Sequence, residues 1–268
     1  DKDMKRWLRV AVFCLLPAAA YSCFAFFAGC LLMPVLPVLE SGGFGAEILE
    51  NSGLLITALA GLGAALIFLF PMLREEGDES SLKSRGIICM TVLAVSAALF
   101  FNTLLNLIPF TKEAMAPLGR KEGSSLLLMA AAVCLAGPAG EEGAFRAFCF
   151  RHLRKELGFP GAALLSSLFF GIYHGNLVQG IYAFLLGLVL CWSMEIFGTV
   201  KAPLACHMAA NASSLILAWT VGKQDLGTGT MVFLCLCSGC IMTVMMVYST
   251  GKVRRNDNET TVNRNPML

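Results

Sequence analysis

Apolar runs follow one another along most of this chain, from residue 8 to residue 249, with short polar gaps between them. A helix needs roughly 17 to 25 mostly apolar residues to cross a bilayer, and most of these runs reach that length. Of the residues, 57% are hydrophobic and 14% are charged, whereas an ordinary soluble domain is about 25% charged. The sequence therefore predicts an all-α, polytopic membrane helix bundle with about eight transmembrane helices. The predicted spans are residues 8–36, 53–73, 87–110, 125–150, 160–175, 178–197, 202–221 and 228–249.

The distribution of basic residues predicts the orientation of the bundle. With eight spans, most of the 20 Lys and Arg residues fall on the side that holds both termini. Because cytoplasmic loops carry an excess of Lys and Arg, we expect a multi-pass protein of the cell membrane with both termini in the cytoplasm. The net charge of +2 does not indicate a nucleic-acid partner, so the lipid bilayer is the expected environment.

Nearly all of the eleven cysteines lie within apolar runs. Buried cysteines of this kind behave as small hydrophobic side chains, so we expect reduced thiols rather than disulfides. Cys235, Cys237 and Cys240 have no histidine near them in the sequence, which favours helix packing over a metal site.

The apolar run at residues 127–154 carries three charged residues in its interior, Glu141, Glu142 and Arg146. A charge near the bilayer centre costs roughly 2.5 to 3.5 kcal/mol, so such residues usually have a function. Glu142 and Arg146 are four residues apart and can pair on one helix face, either as a structural ion pair or to orient a substrate. Glu141 lies about 100° further round the helix, so we expect its carboxylate to face another helix.

Two other predicted helices carry polar groups that Glu141 could meet. One bears His174 near its end, and the other bears His207 and Asn211 four residues apart, on one face. Taken singly, His174 and Asn211 would more often be interhelical hydrogen-bonding residues. Together with Glu141 and His207, they predict a catalytic or transport centre within the membrane.

These residues form three ordered motifs. The set resembles the signature of the CPBP family, the CAAX proteases and bacteriocin-processing enzymes also called the Abi family. The resemblance covers about residues 125–215 and includes the Phe145-Arg146 pair, while Gly143 and Ala147 depart from it, since the family often has a larger apolar residue and Gly there. The motifs are Glu141-Glu142-x-x-x-Arg146, Phe170-x-x-x-His174 and His207-x-x-x-Asn211.

The resemblance implies an intramembrane endopeptidase that hydrolyses a peptide bond near the membrane surface. It implies that Glu141 and His174 activate a water molecule, and that His207 and Asn211 stabilise the oxyanion. These residue types suit those roles, because a carboxylate can act as a general base and a carboxamide or imidazole can donate to an oxyanion. The supporting residues would then be Glu142, Arg146 and Phe170, and the partner a membrane-associated peptide or protein substrate.

The resemblance leaves open whether the protease is of the glutamic type or the metallo type. If a metal such as zinc takes part, Glu141, His174 and His207 are the candidate ligands, since two His and one Glu form known catalytic zinc sites. The HExxH spacing is absent, and we expect that no cofactor is required.

Two other functions stay open. One is a non-catalytic membrane immunity or interaction protein that binds a peptide toxin, as in bacteriocin self-immunity. The other is a proton-coupled transporter, because Glu and His also form proton relays. The transporter is the weaker alternative, since the sequence shows no paired halves with matching broken helices.

The chain is predicted to divide into four parts. Residues 1–124 form an N-terminal three-helix membrane region, and residues 125–220 form the catalytic core. Residues 221–250 form the last membrane helix, and residues 251–268 form a polar cytoplasmic tail, which we expect to be disordered.

Overall fold

The fold is all-helical. A computed structural model describes residues 2–35, 37–38, 51–76, 84–109, 125–220 and 226–264, and these ranges contain no strand. They form eight long helical rods, numbered α1 to α8 in chain order. The rods are α1 (Lys2–Leu32), α2 (Ser52–Ala64, Ala65–Leu69 and Phe70–Glu76), α3 (Ser84–Asn106), α4 (126–157), α5 (159–173), α6 (Leu177–Phe197), α7 (Lys201–Thr220) and α8 (Thr228–Arg264).

Each predicted span coincides with one of these rods, so the prediction of a polytopic helical bundle is confirmed. Within the described ranges, six helices are long and apolar enough to cross a membrane. The number is lower than eight because α4 and α5 form one helical run, Leu126–Tyr173, and because α7 does not meet the same criterion. α7 is less apolar since it carries His207, Asn211 and two serines. The residues that weaken its membrane signal therefore include two candidate site residues.

The last helix is longer than the sequence predicted. α8 continues to Arg264, so the prediction of a disordered tail from residue 251 is wrong as far as Arg264. No glycine or proline lies between Lys252 and Arg264, so nothing in that stretch ends the helix, and Pro266 follows soon after its end.

A turn at Gly158 separates α4 from α5. Gly158 has φ 74° and ψ 179°, a backbone conformation that only glycine adopts readily, and Pro160 follows it. Two ion pairs tie neighbouring helices to this end of the bundle. Arg9 Nε of α1 lies 2.7 Å from Glu156 Oε1, and Arg154 Nη2 lies 2.8 Å from Glu195 Oε1 of α6.

α2 packs very closely against α4 through glycines. A Cβ at Gly61 would lie 2.2 Å from the Ala136 carbonyl oxygen, and a Cβ at Gly140 would lie 2.5 Å from the Gly61 carbonyl oxygen. A Cβ at Gly143 would lie 2.9 Å from the Leu69 backbone nitrogen. This contact explains the departure from the family pattern at Gly143, because a larger residue there would collide with α2.

The core consists of two main apolar clusters that share α6. One cluster joins α1, α2, α4 and α5, and the other joins α3, α6 and α7, with methionines of α8 packed against it. A smaller cluster of Ala144, Phe145, Phe170 and Ala183 connects α4, α5 and α6. The candidate site lies beside this smaller cluster, so its polar groups come from helices that the apolar core already holds together.

Candidate active site

The Glu142–Arg146 ion pair is fully buried. Arg146 Nη1 donates to Glu142 Oε1 at 3.1 Å, and both side chains are 0% exposed. The Arg146 guanidinium carbon lies 4.3 Å from the centroid of the Phe170 ring, and Gly187 of α6 leaves room beside Nη2, since a Cβ there would be 3.1 Å away. The pair thus has the i,i+4 geometry that the sequence predicted, with an aromatic face as a further partner for the cation.

The buried pair leaves hydrogen-bonding capacity unused. Arg146 Nε, Arg146 Nη2 and Glu142 Oε2 are buried and make no hydrogen bond within the described part of the chain. Buried polar atoms are normally paired, and leaving one unpaired costs about 1–3 kcal/mol. The Glu142–Arg146 pair is therefore buried with part of its hydrogen-bonding capacity unused.

His207 lies between the two glutamates. Its Nδ1 is 2.8 Å from Glu142 Oε1, and its Nε2 is 3.6 Å from Glu141 Oε2. The first separation is a hydrogen bond, and the second is slightly too long for one. The structure therefore brings together Glu141, Glu142, Arg146 and His207, and it gives Glu142 a direct contact with His207 that sequence reasoning missed.

The contact with Glu142 determines which ring nitrogen of His207 donates a hydrogen bond to it. An ionised carboxylate can only accept hydrogen bonds, so Nδ1 of His207 carries a proton that it donates to Glu142 Oε1. Nε2 then faces Glu141, as an acceptor in the neutral ring or as a donor in the imidazolium. A carboxylate bonded to one ring nitrogen is a common way to fix the orientation of a functional histidine.

Glu141 is the accessible member of the cluster. Its side chain is 14% exposed, against 0% for Glu142, and within the described residues it makes no hydrogen bond. The prediction that Glu141 faces another helix is confirmed by its 3.6 Å separation from His207 of α7. Its carboxylate can therefore accept hydrogen bonds from a water molecule or a substrate.

Asn211 lies one turn beyond His207, but it bonds to α4 instead of either glutamate. Its Nδ2 donates to the Val133 carbonyl oxygen at 2.9 Å. Val133 lies in the π-helical turn Ala130–Ala136, where a carbonyl normally accepts from the residue five positions ahead. That residue is Pro138, which has no N–H, and the Gly137 N–H donates to Ala132 instead. Asn211 therefore satisfies a carbonyl that Pro138 leaves without its helical partner.

His174 lies at the end of α5, next to the cluster but not bonded to it. Its Nδ1 donates to the Phe170 carbonyl oxygen at 2.8 Å, so Nε2 of the neutral ring is an acceptor. No hydrogen bond or ion pair joins it to Glu141 within the described ranges. The Phe170 ring stands edge-on to both imidazoles, with centroid separations of 4.8 Å to His174 and 5.8 Å to His207. Phe170 thus contacts both histidines as well as Arg146.

The turn after His174 is fixed by its own sequence. Gly175 adopts φ 66°, and the Asn176 side chain accepts hydrogen bonds from the backbone nitrogens of Val178 and Gln179. These contacts begin α6 immediately after His174 and hold that histidine at the end of a helical hairpin.

Two tyrosines next to His174 had no signal in the sequence motifs. The rings of Tyr21, on α1, and Tyr173, on α5, contact each other edge-on at 5.0 Å, and the Tyr173 ring lies 5.6 Å from the His174 ring. Tyr173 could have been suspected because it precedes His174. Tyr21 could not, because it lies more than a hundred residues before the first motif.

The described residues do not fit a metal site. Nowhere among them do three or more His, Cys, Asp or Glu side chains form a group that could hold a metal ion. The candidate ligands Glu141, His174 and His207 do not form such a group among the described residues. All eleven cysteines, including Cys235, Cys237 and Cys240, are free.

Comparison with known proteins identifies the central segment. Residues 123–213 match the family model described as type II CAAX prenyl endopeptidase Rce1-like. This segment is Rce1-like. The resemblance to the CPBP family is thereby confirmed, and the Rce1-like segment contains all three motifs, from Glu141 to Asn211. No curated protein and no solved structure matches the chain.

The Rce1-like match supports a protease of the CAAX type embedded in a multi-pass membrane protein. Such a protease acts on a membrane-associated substrate in a lipid bilayer. Tyr21 and the close contact of α2 with α4 lie partly or wholly outside the matched residues, so the match does not cover them.

Proposed function

We propose that this protein is an intramembrane endopeptidase that hydrolyses a peptide bond near the membrane surface, with Glu141 as the general base, in the maturation of a peptide or protein. The observation that carries the proposal is the exposure and hydrogen bonding of the Glu141 carboxylate. Its carboxylate is partly exposed and free of hydrogen bonds, while the neighbouring Glu142 is neutralised by Arg146 in the same fully helical stretch. The Rce1-like match supports the same reaction class.

The reaction needs a water molecule to lose a proton as it attacks. Glu141 takes that proton while the water oxygen bonds to the carbonyl carbon of the scissile amide. His174 assists through its Nε2, which is free to accept a hydrogen bond because Nδ1 is bonded to the Phe170 carbonyl. No serine or cysteine nucleophile is required, so the reaction proceeds without a covalent acyl-enzyme.

The tetrahedral oxyanion needs hydrogen-bond donors. His207 supplies one when it is the imidazolium, because Nδ1 then donates to Glu142 and Nε2 is free to donate. Two carboxylates and one guanidinium lie around the ring, so the site holds its donors among charged groups that fix their orientation. Asn211 uses one of its two N–H bonds on Val133 and keeps the other for the oxyanion. When the C–N bond breaks, the proton that Glu141 took passes to the leaving amine.

The proposal is tested by comparing membrane peptides from cells that express the native protein or Glu141→Ala at equal abundance. We expect a set of peptides that is present with the native protein and lost with the variant, and their new termini identify the cleavage site. Identical peptide sets, with the biological function retained by Glu141→Ala, would contradict the protease and favour a non-catalytic immunity protein.

A further inference from the structure

The two carboxylate oxygens of Glu141 face different helices. Oε2 lies 3.6 Å from His207 Nε2 of α7. Oε1 lies beside Gly137, one turn earlier on α4, because a Cβ at Gly137 would be 4.0 Å from it. Since glycine has no side chain, Gly137 leaves Oε1 uncovered on its side of α4. The candidate base is therefore open toward the helix that packs against Gly137.

Thr57 of α2 forms the opposite wall of this space. Its methyl carbon Cγ2 is also 4.0 Å from the Cβ position of Gly137, so a single point lies within contact distance of both Thr57 and Glu141 Oε1. The Thr57 hydroxyl donates to the Gly53 carbonyl oxygen at 2.9 Å, which fixes the side-chain rotamer. The half-buried side chain thus holds its methyl group toward Gly137.

The space beside Gly137 is narrow. Apart from one carbonyl oxygen of α4 itself, nothing lies closer than 4.0 Å to a Cβ at Gly137. A separation of about 4 Å is ordinary van der Waals contact between carbon atoms. One turn further along α2 the space ends, because a Cβ at Gly61 would lie 2.2 Å from the Ala136 carbonyl oxygen. A methyl group therefore fits between the candidate base and α2, whereas a branched side chain would meet Thr57.

A substrate comes close to this space when Glu141 acts as the base. A base lies roughly 3 Å from the water that it activates, and that water lies roughly 3–3.5 Å from the carbonyl carbon that it attacks. The side chains next to the scissile bond therefore pass near the carboxylate, on the side from which the substrate approaches. Because Oε2 faces His207, we expect that side to be the one of Oε1.

We propose that Thr57 and Gly137 determine which side chain the enzyme accepts next to the scissile bond, and that this side chain is small, as in glycine, alanine or serine. This inference rests on the proposed function. A side chain with one carbon fills the space between Glu141 Oε1 and the Thr57 methyl group, and a larger one collides with that methyl group. Thr57 lies outside the Rce1-like residues 123–213, so the family match does not cover this selectivity.

The test compares the native protein with Thr57→Ser, Thr57→Val and Glu141→Gln, each as the full chain in lipid vesicles. The substrates are versions of one membrane peptide that the native protein cleaves, with Gly, Ala, Val or Leu on either side of the scissile bond. The readout is the kcat/KM for the Ala peptide divided by the kcat/KM for the Leu peptide. This ratio does not depend on how much of each protein is folded, because both peptides are cleaved by the same preparation.

The two Thr57 variants separate the methyl group from the hydroxyl. Thr57→Ser removes the methyl group and keeps the hydroxyl, whereas Thr57→Val keeps the methyl group and removes the hydroxyl. We expect the native protein and Thr57→Val to prefer Ala over Leu at one of the two positions. We expect Thr57→Ser to lower that preference about tenfold, since one carbon more or less in an apolar pocket changes selectivity roughly 10–200-fold.

A native protein that cleaves the Ala and Leu peptides equally at both positions would overturn the inference, and so would an unchanged preference in Thr57→Ser. An equal loss of preference in Thr57→Val would also overturn it, because the hydroxyl would then be responsible. In each case, cleavage that is lost in Glu141→Gln leaves the protease intact. Cleavage that persists in Glu141→Gln would overturn the proposed function itself.

Discussion

Glu142 Oε1 accepts hydrogen bonds from both Arg146 and His207, so one buried oxygen connects two motifs. A buried charge that loses its partner typically costs 3–5 kcal/mol, whereas replacing both charges by neutral groups is often tolerated. We therefore expect Arg146→Met to lower the free energy of unfolding by about 3–5 kcal/mol, and Glu142→Gln with Arg146→Met to recover most of that loss. Unfolding of the purified proteins in detergent measures both effects. If the losses of unfolding free energy in the two single variants simply add in the double variant, Glu142 and Arg146 do not stabilise each other, which would contradict the ion pair.

Asn211 has a structural partner as well as a proposed catalytic role, and the two can be separated. Asn211→Ala leaves the Val133 carbonyl unpaired, so we expect it to lower the free energy of unfolding by about 1–3 kcal/mol. In a Pro138→Ala background the new N–H can donate to that carbonyl, so the same substitution should cost less. Unfolding of all four proteins gives the coupling between the two positions. An equal cost in both backgrounds would show that Asn211 does not replace the hydrogen bond that Pro138 removes.

At the scale of the helices, the close approach of α2 to α4 holds the glutamate-bearing helix in place. Gly61→Ala would put a Cβ 2.2 Å from the Ala136 carbonyl oxygen, so the two helices must separate. We expect a loss of about 1–3 kcal/mol in unfolding free energy, with a lower kcat for any substrate. Gly53→Ala is the matched control in α2, because nothing lies within 4 Å of a Cβ there. Equal behaviour of the two variants would show that the close contact is not needed.

Some contacts of the candidate site could be predicted from the sequence and others could not. The spacing of Glu142 and Arg146 predicted their ion pair, since residues four apart meet on any helix. The bond from His207 to Glu142 was not predictable, because it depends on how α7 packs against α4. Pro138 was visible in the sequence, but a missing N–H does not show which residue replaces it. The contact of Tyr21 with Tyr173 was not predictable either, because it depends on the position of α1 against α5.

At the scale of the whole molecule, the hydrophobic pattern predicted the helical bundle, and the family match supports a protease activity. The orientation of the bundle in the membrane is still a prediction. An excess of Lys and Arg on one side predicts that both termini of the chain are cytoplasmic. Epitope tags placed before residue 1 and after residue 268 should bind antibody only after the membrane is permeabilised. Labelling of either tag on intact cells would contradict the predicted orientation.

The activity itself is tested most directly by cleavage of a membrane peptide in vesicles prepared in ¹⁸O-labelled water. Hydrolysis adds one oxygen from water to the new carboxyl terminus, and mass spectrometry detects the added mass. We expect labelled product termini with the native protein and none with Glu141→Gln at equal abundance. Labelled product formed equally by Glu141→Gln would contradict the assignment of Glu141 as the base that activates water.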